Sequence, residues 1–269
     1  MKYFIFRTFD PMSNSEKPLI FITNDDGISA KGIAALIDVA KGFGEVVVIA
    51  PDKPQSAMGH AITIHHPLRL HKNSLFAGVD SYECSGTPVD CVKLGVYEVL
   101  HKKPTLLLSG INHGANTACN VLYSGTMSAA IEGAMEGVPS IGFSLCDFDY
   151  DADFTEAQFL AEKIIAQVLE TSMGKGIAYN VNIPKSKAGR TIEGIKVCRQ
   201  ANAFWAEKFE KRIDQFNKPY YWLGGELENE DFGEDTDLFA IDHHFASLVP
   251  TQFDLTAYHE LSKIKHIDL

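Results

Sequence analysis

Cysteine is too scarce and too irregularly placed in this sequence to hold a fold together. The five that occur, Cys84, Cys91, Cys119, Cys146 and Cys198, form an odd set with no Cys-x-x-Cys pair. That argues against a disulfide framework and a zinc knuckle, and leaves reduced, buried thiols as the expected state. Long apolar runs are missing too. The run at residues 3–6 is interrupted by Arg7 and is too short for a signal segment or a membrane span, so a cytoplasmic protein with no membrane partner is expected. Positive charge is in deficit: 24 Lys and Arg stand against 35 Asp and Glu, a formal net charge of −11. A field of that sign repels duplex nucleic acid and anionic membrane surfaces. A small anionic ligand would need a local positive centre, either a bound cation or a helix N-terminus. Several signatures are also absent: the phosphate-cradling G-x-x-x-x-G-K-[ST], a G-x-G-x-x-G after the first strand, G-x-S-x-G and H-E-x-x-H. The pairs His65–His66 and His243–His244 do not stand in for them, because neighbours on a strand point to opposite faces.

What is present is the pattern of an open α/β sheet. With 45% hydrophobic and 22% charged residues the chain falls among ordinary water-soluble globular proteins. Short runs rich in β-formers at 19–23, 46–50 and 105–108 read as buried parallel strands. Between and after them come helical patterns at 30–41, with Ile33, Leu36, Ile37 and Ala40 on one face, at 88–100 and at 125–136. A strand at 139–144, a helix at 154–170 and a strand at 178–183 follow. This alternation defines an α/β sheet with helices on both faces. Beyond about residue 190 the pattern changes to strands at 192–199 and 220–224, an acidic loop at 226–236, and a tail at 246–269 with one strand-like stretch and a helix from Asp254. Residues 1–17 read as an N-terminal extension and 18–269 as one domain, with a core over 18–150.

In open α/β sheets ligands bind beyond the carboxyl ends of the strands. The first strand runs into Asn24-Asp25-Asp26-Gly27, placing adjacent carboxylates at that edge; they repel unless a cation sits beside them. Taken alone, the same residues make an ordinary turn before a helix. The second strand leads through Ala50-Pro51-Asp52 to Ser56, and the third into a polar, glycine-rich stretch, 109–116, that offers the amide oxygen of Asn112. Carboxylates, an amide carbonyl and a hydroxyl are hard oxygen donors suited to Mg2+, Mn2+ or Ca2+. Ser124-Gly125-Thr126 opens a helix, where free N–H groups and the dipole favour an anion, although N-capping by Ser124 accounts for the same residues. His113, in the polar stretch, reads either as a proton donor to a leaving alkoxide or as a structural residue.

In order and number these segments resemble the SurE survival-protein family of nucleotidases: ITNDDGISAKGI at 22–33, VVVIAPDKPQSA at 46–57, GTPVDCVKLGV at 86–96, SGINHGANTACNVLYSGTMSAAIEG at 109–133 and GVPSIGFSL at 137–145. The likeness continues through NVNIP at 180–184, YYWLGG at 220–225 and LVPTQFDLTAY at 248–258. The resemblance implies a three-layer α/β/α, Rossmann-like fold with an oligomerisation region at 190–269, as a homodimer or homotetramer. It implies one divalent cation per subunit, Mg2+ or Mn2+ with Ca2+ as an alternative occupant, held by Asp25, Asp26, Ser56 and Asn112. It places phosphate contacts around Asn116, Ser124, Gly125 and Thr126. The activity implied is hydrolysis of nucleoside monophosphates, with Asp25 or Asp26 orienting the attacking water. Two departures stand out: Ala57 replaces a usual glycine, and Thr117-Ala118 replaces a stretch that commonly contains one.

Overall fold

A computed structural model describes residues 17–186 and 191–264; the expected extension at 1–17 falls, apart from Lys17, outside the described residues. The first half of the chain runs β1 (Leu19–Thr23), α1 (Lys31–Ala40), β2 (Glu45–Pro51), β3 (Leu70–Asn73), β4 (Asp80–Cys84), α2 (Pro88–Leu94), β5 (Leu106–His113), α3 (Gly125–Met135) and β6 (Ser140–Cys146). The second half runs α4 (Thr155–Glu170), β7 (Ile177–Pro184), β8 (Ile195–Val197), β9 (Ala203–Ile213), β10 (Pro219–Asn229), α5 (Asp237–Asp242), β11 (Ala246–Gln252) and α6 (Tyr258–Leu261). Nine strands form one sheet in the order β3-β4-β2-β1-β5-β6-β7-β11-β8, and β9 pairs with β10 as a separate hairpin. The run β4-β2-β1-β5-β6-β7 is parallel, and β11 is antiparallel to β7.

Alternation along the strands sorts the core into two layers. Ile20, Ile22, Val46 and Val48 pack on one face with Ile33, Leu36 and Ile37 of α1 and Leu160 and Ile164 of α4. Leu19, Phe21, Val47 and Ile49 pack on the other with Cys91 and Val92 of α2 and Ala129 of α3. Both faces are covered, which is why β1 is apolar at four of its five positions and buried at all of them. The result is the expected three-layer α/β/α arrangement. Helix α2 starts where Thr87 and Asp90 form a reciprocal capping box with Pro88 at the first helical position, and it continues as a π-helical turn, Gly95–Val99.

Several elements differ from the sequence reading. The stretch at 109–113, read as a polar loop, stays in the sheet: β5 pairs with β6 as far as His113, with a register shift between Ser109 and Asn112. The short strands β3 and β4 and the six-residue helix α5 carry too little periodicity to be read. Strand β9 was unread, and β10 extends through part of the expected acidic loop, because their charged and aromatic residues lack the period-2 alternation of a half-buried strand.

Candidate functional site

The chain places β1 beside β2 and later returns to lay β5 on the other side of β1. This reversal of strand order opens a crevice at the carboxyl ends of β1 and β5, the location at which such sheets bind ligands. Asp25 and Asp26 follow β1 there, and Asn112 stands at the end of β5. The β2 loop is drawn in by the N–H of Gln55, which donates to the Asp25 carbonyl at 2.7 Å, and by that of Ile28, which donates to the Pro51 carbonyl at 2.9 Å. Gly27, at φ 94°, makes the turn that lets these loops meet. A cavity of about 470 Å3 results, and its lining includes Asp25, Asp26, Ser56, Asn112, Asn116 and Ser124. Six of the eight residues expected at the site thus share one cavity.

The other two, Gly125 and Thr126, lie behind Asp25. Thr126 is fully buried. Its hydroxyl donates to Asp25 Oδ1 at 2.5 Å, and its backbone N–H also favours the Asp25 carboxylate. A Cβ on Gly125 would lie 2.6 Å from the Asp25 Cβ, so only glycine lets the start of α3 come this close. The helix N-terminus expected to hold an anion therefore already faces one, the carboxylate of Asp25. Ser124 caps the helix by accepting the Met127 N–H at 3.0 Å, a bond that uses its oxygen and leaves its proton for another acceptor.

Electrostatics and donor chemistry both fit a hard cation. Burial, reinforced by the adjacent Asp26, pushes the Asp25 carboxyl up to about 7, and burial raises Asp26 against the opposing His113 N–H. Such a pair is costly to hold ionised without a compensating positive charge. The Asn112 amide nitrogen donates to the Gly114 carbonyl at 2.9 Å, which leaves its oxygen as the atom for the cavity. Among the described residues no three His, Cys, Asp or Glu side chains converge; the donors are two carboxylates, an amide and a hydroxyl, a set for Mg2+, Mn2+ or Ca2+. His113 donates its backbone N–H to Asp26 Oδ2 at 3.2 Å, and its ring lies edge-on to Phe154 at 5.2 Å. His113 also lines the cavity, so both of its readings stand.

Several supporting residues escaped the sequence reading. The Asn116 N–H donates to Asn182 Oδ1 at 2.7 Å, the Asn116 side chain to Ser144 Oγ at 2.8 Å, and Asn180 Nδ2 to the Asn116 carbonyl at 2.8 Å. This buried network ties the loop after β5 to β6 and β7. From the C-terminal part, fully buried Asp237 accepts the N–H groups of Ala118 and Ala201, each at 2.9 Å. A two-asparagine pattern in NVNIP was the sole signal for the first; nothing local marks Asp237. The two departures from the family pattern, Ala57 (φ 59°) and Ala118 (φ 49°), both occupy the left-handed region, which accounts for glycine being usual there.

Fold and crevice together define a Rossmann-like α/β/α protein with a cavity lined by oxygen donors at its topological switch point. The family model described as Survival protein SurE matches residues 20–207, and the chain belongs to the SurE family. It is similar to proteins named 5'-nucleotidase SurE from Flavobacterium johnsoniae, 56% identical over 93% of this chain and 96% of the relative, and from Cytophaga hutchinsonii, 53% identical over 92% and 96%. The crystal structure of the SurE protein from Aquifex aeolicus superimposes with a TM-score of 0.80 at 38% identity, covering 92% of this chain and 98% of that one.

Proposed function

We propose that this chain is a metal-dependent 5'-nucleotidase that hydrolyses nucleoside 5'-monophosphates, and secondarily 3'-monophosphates, to nucleoside and inorganic phosphate. The observation that carries the reading is the convergence of Asp25, Asp26, Asn112 and Ser56 on one cavity beyond β1 and β5. The names of the relatives support it. A divalent cation held by those four residues, one per subunit, would neutralise phosphate charge and acidify a water. The chain's own residues supply the rest. Asp25 or Asp26 orients the attacking water, and Thr126 fixes the Asp25 carboxylate in one position. The Ser124 hydroxyl and Asn116 amide contact phosphate oxygens at the start of α3, where the helix dipole favours negative charge. Ser124 need not act as a covalent nucleophile. Release of phosphate from 5'-AMP with Mn2+, and none without it, is the expected result; a non-catalytic nucleotide-binding module would release none in either case.

The same reading includes a homo-oligomer, dimer or tetramer, built through residues 190–269. Support comes from the hairpin, whose Phe209, Tyr221, Trp222 and Leu223 are all more than half exposed. A two-stranded ribbon with apolar side chains uncovered on both faces is marginal by itself and marks an interaction site. Light scattering on an active sample tests this, and a monomer at micromolar concentration would defeat it. Among the described residues no helix is long and apolar enough to cross a membrane.

A further inference from the structure

The cation cavity does not end at its polar pole. Trp205 of β9 and Tyr123, the residue just before Ser124, line it, and both also line a second chamber of about 500 Å3 with Ala57, Asn120, Leu223 and Gly224. The two spaces share Ala57, Asn120, Tyr123 and Trp205, so they are lobes of one groove, each within the range of about 300–1,000 Å3 usual for small-molecule sites. The lobes differ in chemistry. One gathers two carboxylates, amides and hydroxyls; the other is walled mainly by an indole, a phenol and an aliphatic side chain, with Glu207 as its one carboxylate and Gly224 and Gly225 leaving part of its floor without a side chain.

The aromatic wall is held in place. The Trp205 indole N–H donates to Asn120 Oδ1 at 2.7 Å, which satisfies the only polar atom of the indole and leaves its faces for stacking. Asn120 belongs to a short 3-10 segment, Ala118–Leu122, whose first residue is fastened by Asp237. Tyr123 is tied to the Ser56 loop by its carbonyl, which accepts the Gly59 N–H at 3.1 Å. Even so, the two residues remain 42% and 53% exposed. The indole is oriented by its bond to Asn120 and the phenol is carried on an anchored backbone, and neither is packed away, an arrangement suited to a planar ligand.

We infer that the groove between Trp205 and Tyr123 is the nucleobase subsite: the base of a nucleoside monophosphate stacks there while its phosphate lies at Asp25, Asp26 and Ser124. This rests on the nucleotidase reading above and adds that the hairpin supplies a substrate-specificity residue. Stacking of a base on an aromatic side chain is sequence-tolerant, so the subsite favours nucleotides over base-free phosphomonoesters more than it separates one base from another.

The test compares 5'-AMP with ribose 5-phosphate, both with Mn2+, in the parent, Trp205→Ala and Trp205→Phe. Stacking of ordinary strength predicts that Trp205→Ala lowers kcat/KM for AMP about 5- to 150-fold, mainly through KM. Ribose 5-phosphate turnover should change less than about twofold, and Trp205→Phe should recover most of the AMP activity. A second measurement is independent of catalysis: in a Trp222→Phe background Trp205 is the remaining tryptophan, and its fluorescence should be quenched by adenosine and not by ribose, with no metal added. The adenosine titration decides the matter if ribose 5-phosphate is too poor a substrate or if Trp205→Ala fails to fold. An equal loss on both phosphates, or fluorescence indifferent to adenosine, overturns the proposal. Failure of the nucleotidase reading looks different: the parent would release phosphate from neither compound, while adenosine quenching would still report the groove.

Discussion

All five residues of β1 are buried, whereas nine of the eleven residues in each of β9 and β10 are exposed. The first strand lies in the middle of a sheet covered on both faces, so its carboxyl end cannot shift without disturbing two cores; Asp25 and Asp26 inherit that rigidity. The hairpin touches the body mainly at its root, where Ala203 packs with Ala118 and Ala201 and Arg199 pairs with Asp231 and Asp235. On the proposed function, chemistry that needs fixed charges sits on the sheet, and recognition that needs broad apolar faces is carried by the arm. The division agrees with the physical demand, since electrostatic catalysis rewards preorganisation while stacking tolerates adjustment.

The comparison breaks first at the carboxylates. Asp25→Asn or Asp26→Asn should lower kcat on 5'-AMP at least about 100-fold, roughly 2.7 kcal/mol of barrier, and a chelator should abolish turnover. A double variant that works like the parent would mean that the rigid pole is not the reacting pole. Thr126→Val comes next. Loss of a hydrogen bond to a charged group is worth about 1.5–3 kcal/mol, a fall of roughly 10- to 150-fold in kcat/KM. Because the hydroxyl is bonded to Asp25, Mn2+ affinity measured by calorimetry should fall as well. From its place at the start of α3 alone, Thr126 would be a phosphate contact whose loss spares the metal, so unchanged Mn2+ affinity would restore that role.

On the arm, Phe209→Glu combined with Trp222→Glu should shift the oligomer towards monomer by light scattering while leaving the far-ultraviolet circular dichroism of the sheet intact, since neither residue belongs to the described core. The smallest effect contrasts two ion pairs. Glu132 on α3 has a side chain only 2% exposed and bonds Lys93 and His60, the latter at 2.8 Å, and so pins the loop that carries Ser56. Burial pushes its carboxyl up, but the hydrogen bonds from His60 and Lys93 outweigh this and hold it below its ordinary 4.5. A carboxyl depressed in the folded state contributes stability above its unfolded value and loses it as the pH falls through the folded one. Glu132→Gln should therefore cost about 1.5–3 kcal/mol at neutral pH, and less below pH 4.5, in denaturant titrations. Asp235→Asn at the exposed hairpin root should cost far less, because solvent screens that pair; an equal cost for the two would erase the contrast between sheet and arm.

The sequence alone determined what depends on local pattern. A strand buried on both faces must be continuously apolar, so β1, β2 and the start of β5 were readable; helices with one apolar face were readable from their spacing. That Asp25, Asp26, Ser56 and Asn112 meet at one sheet edge was readable because strand ends and turn residues mark that edge. Only the tertiary structure decided that the start of α3 faces Asp25, that Asn180 and Asn182 hold the loop of Asn116, and that Asp237 reaches back to Ala118 from 119 positions away. The hairpin belongs to the same class. Its residues show no period of their own, because what selects them is a partner strand rather than a common core, and contacts between distant segments leave no periodic trace in either one.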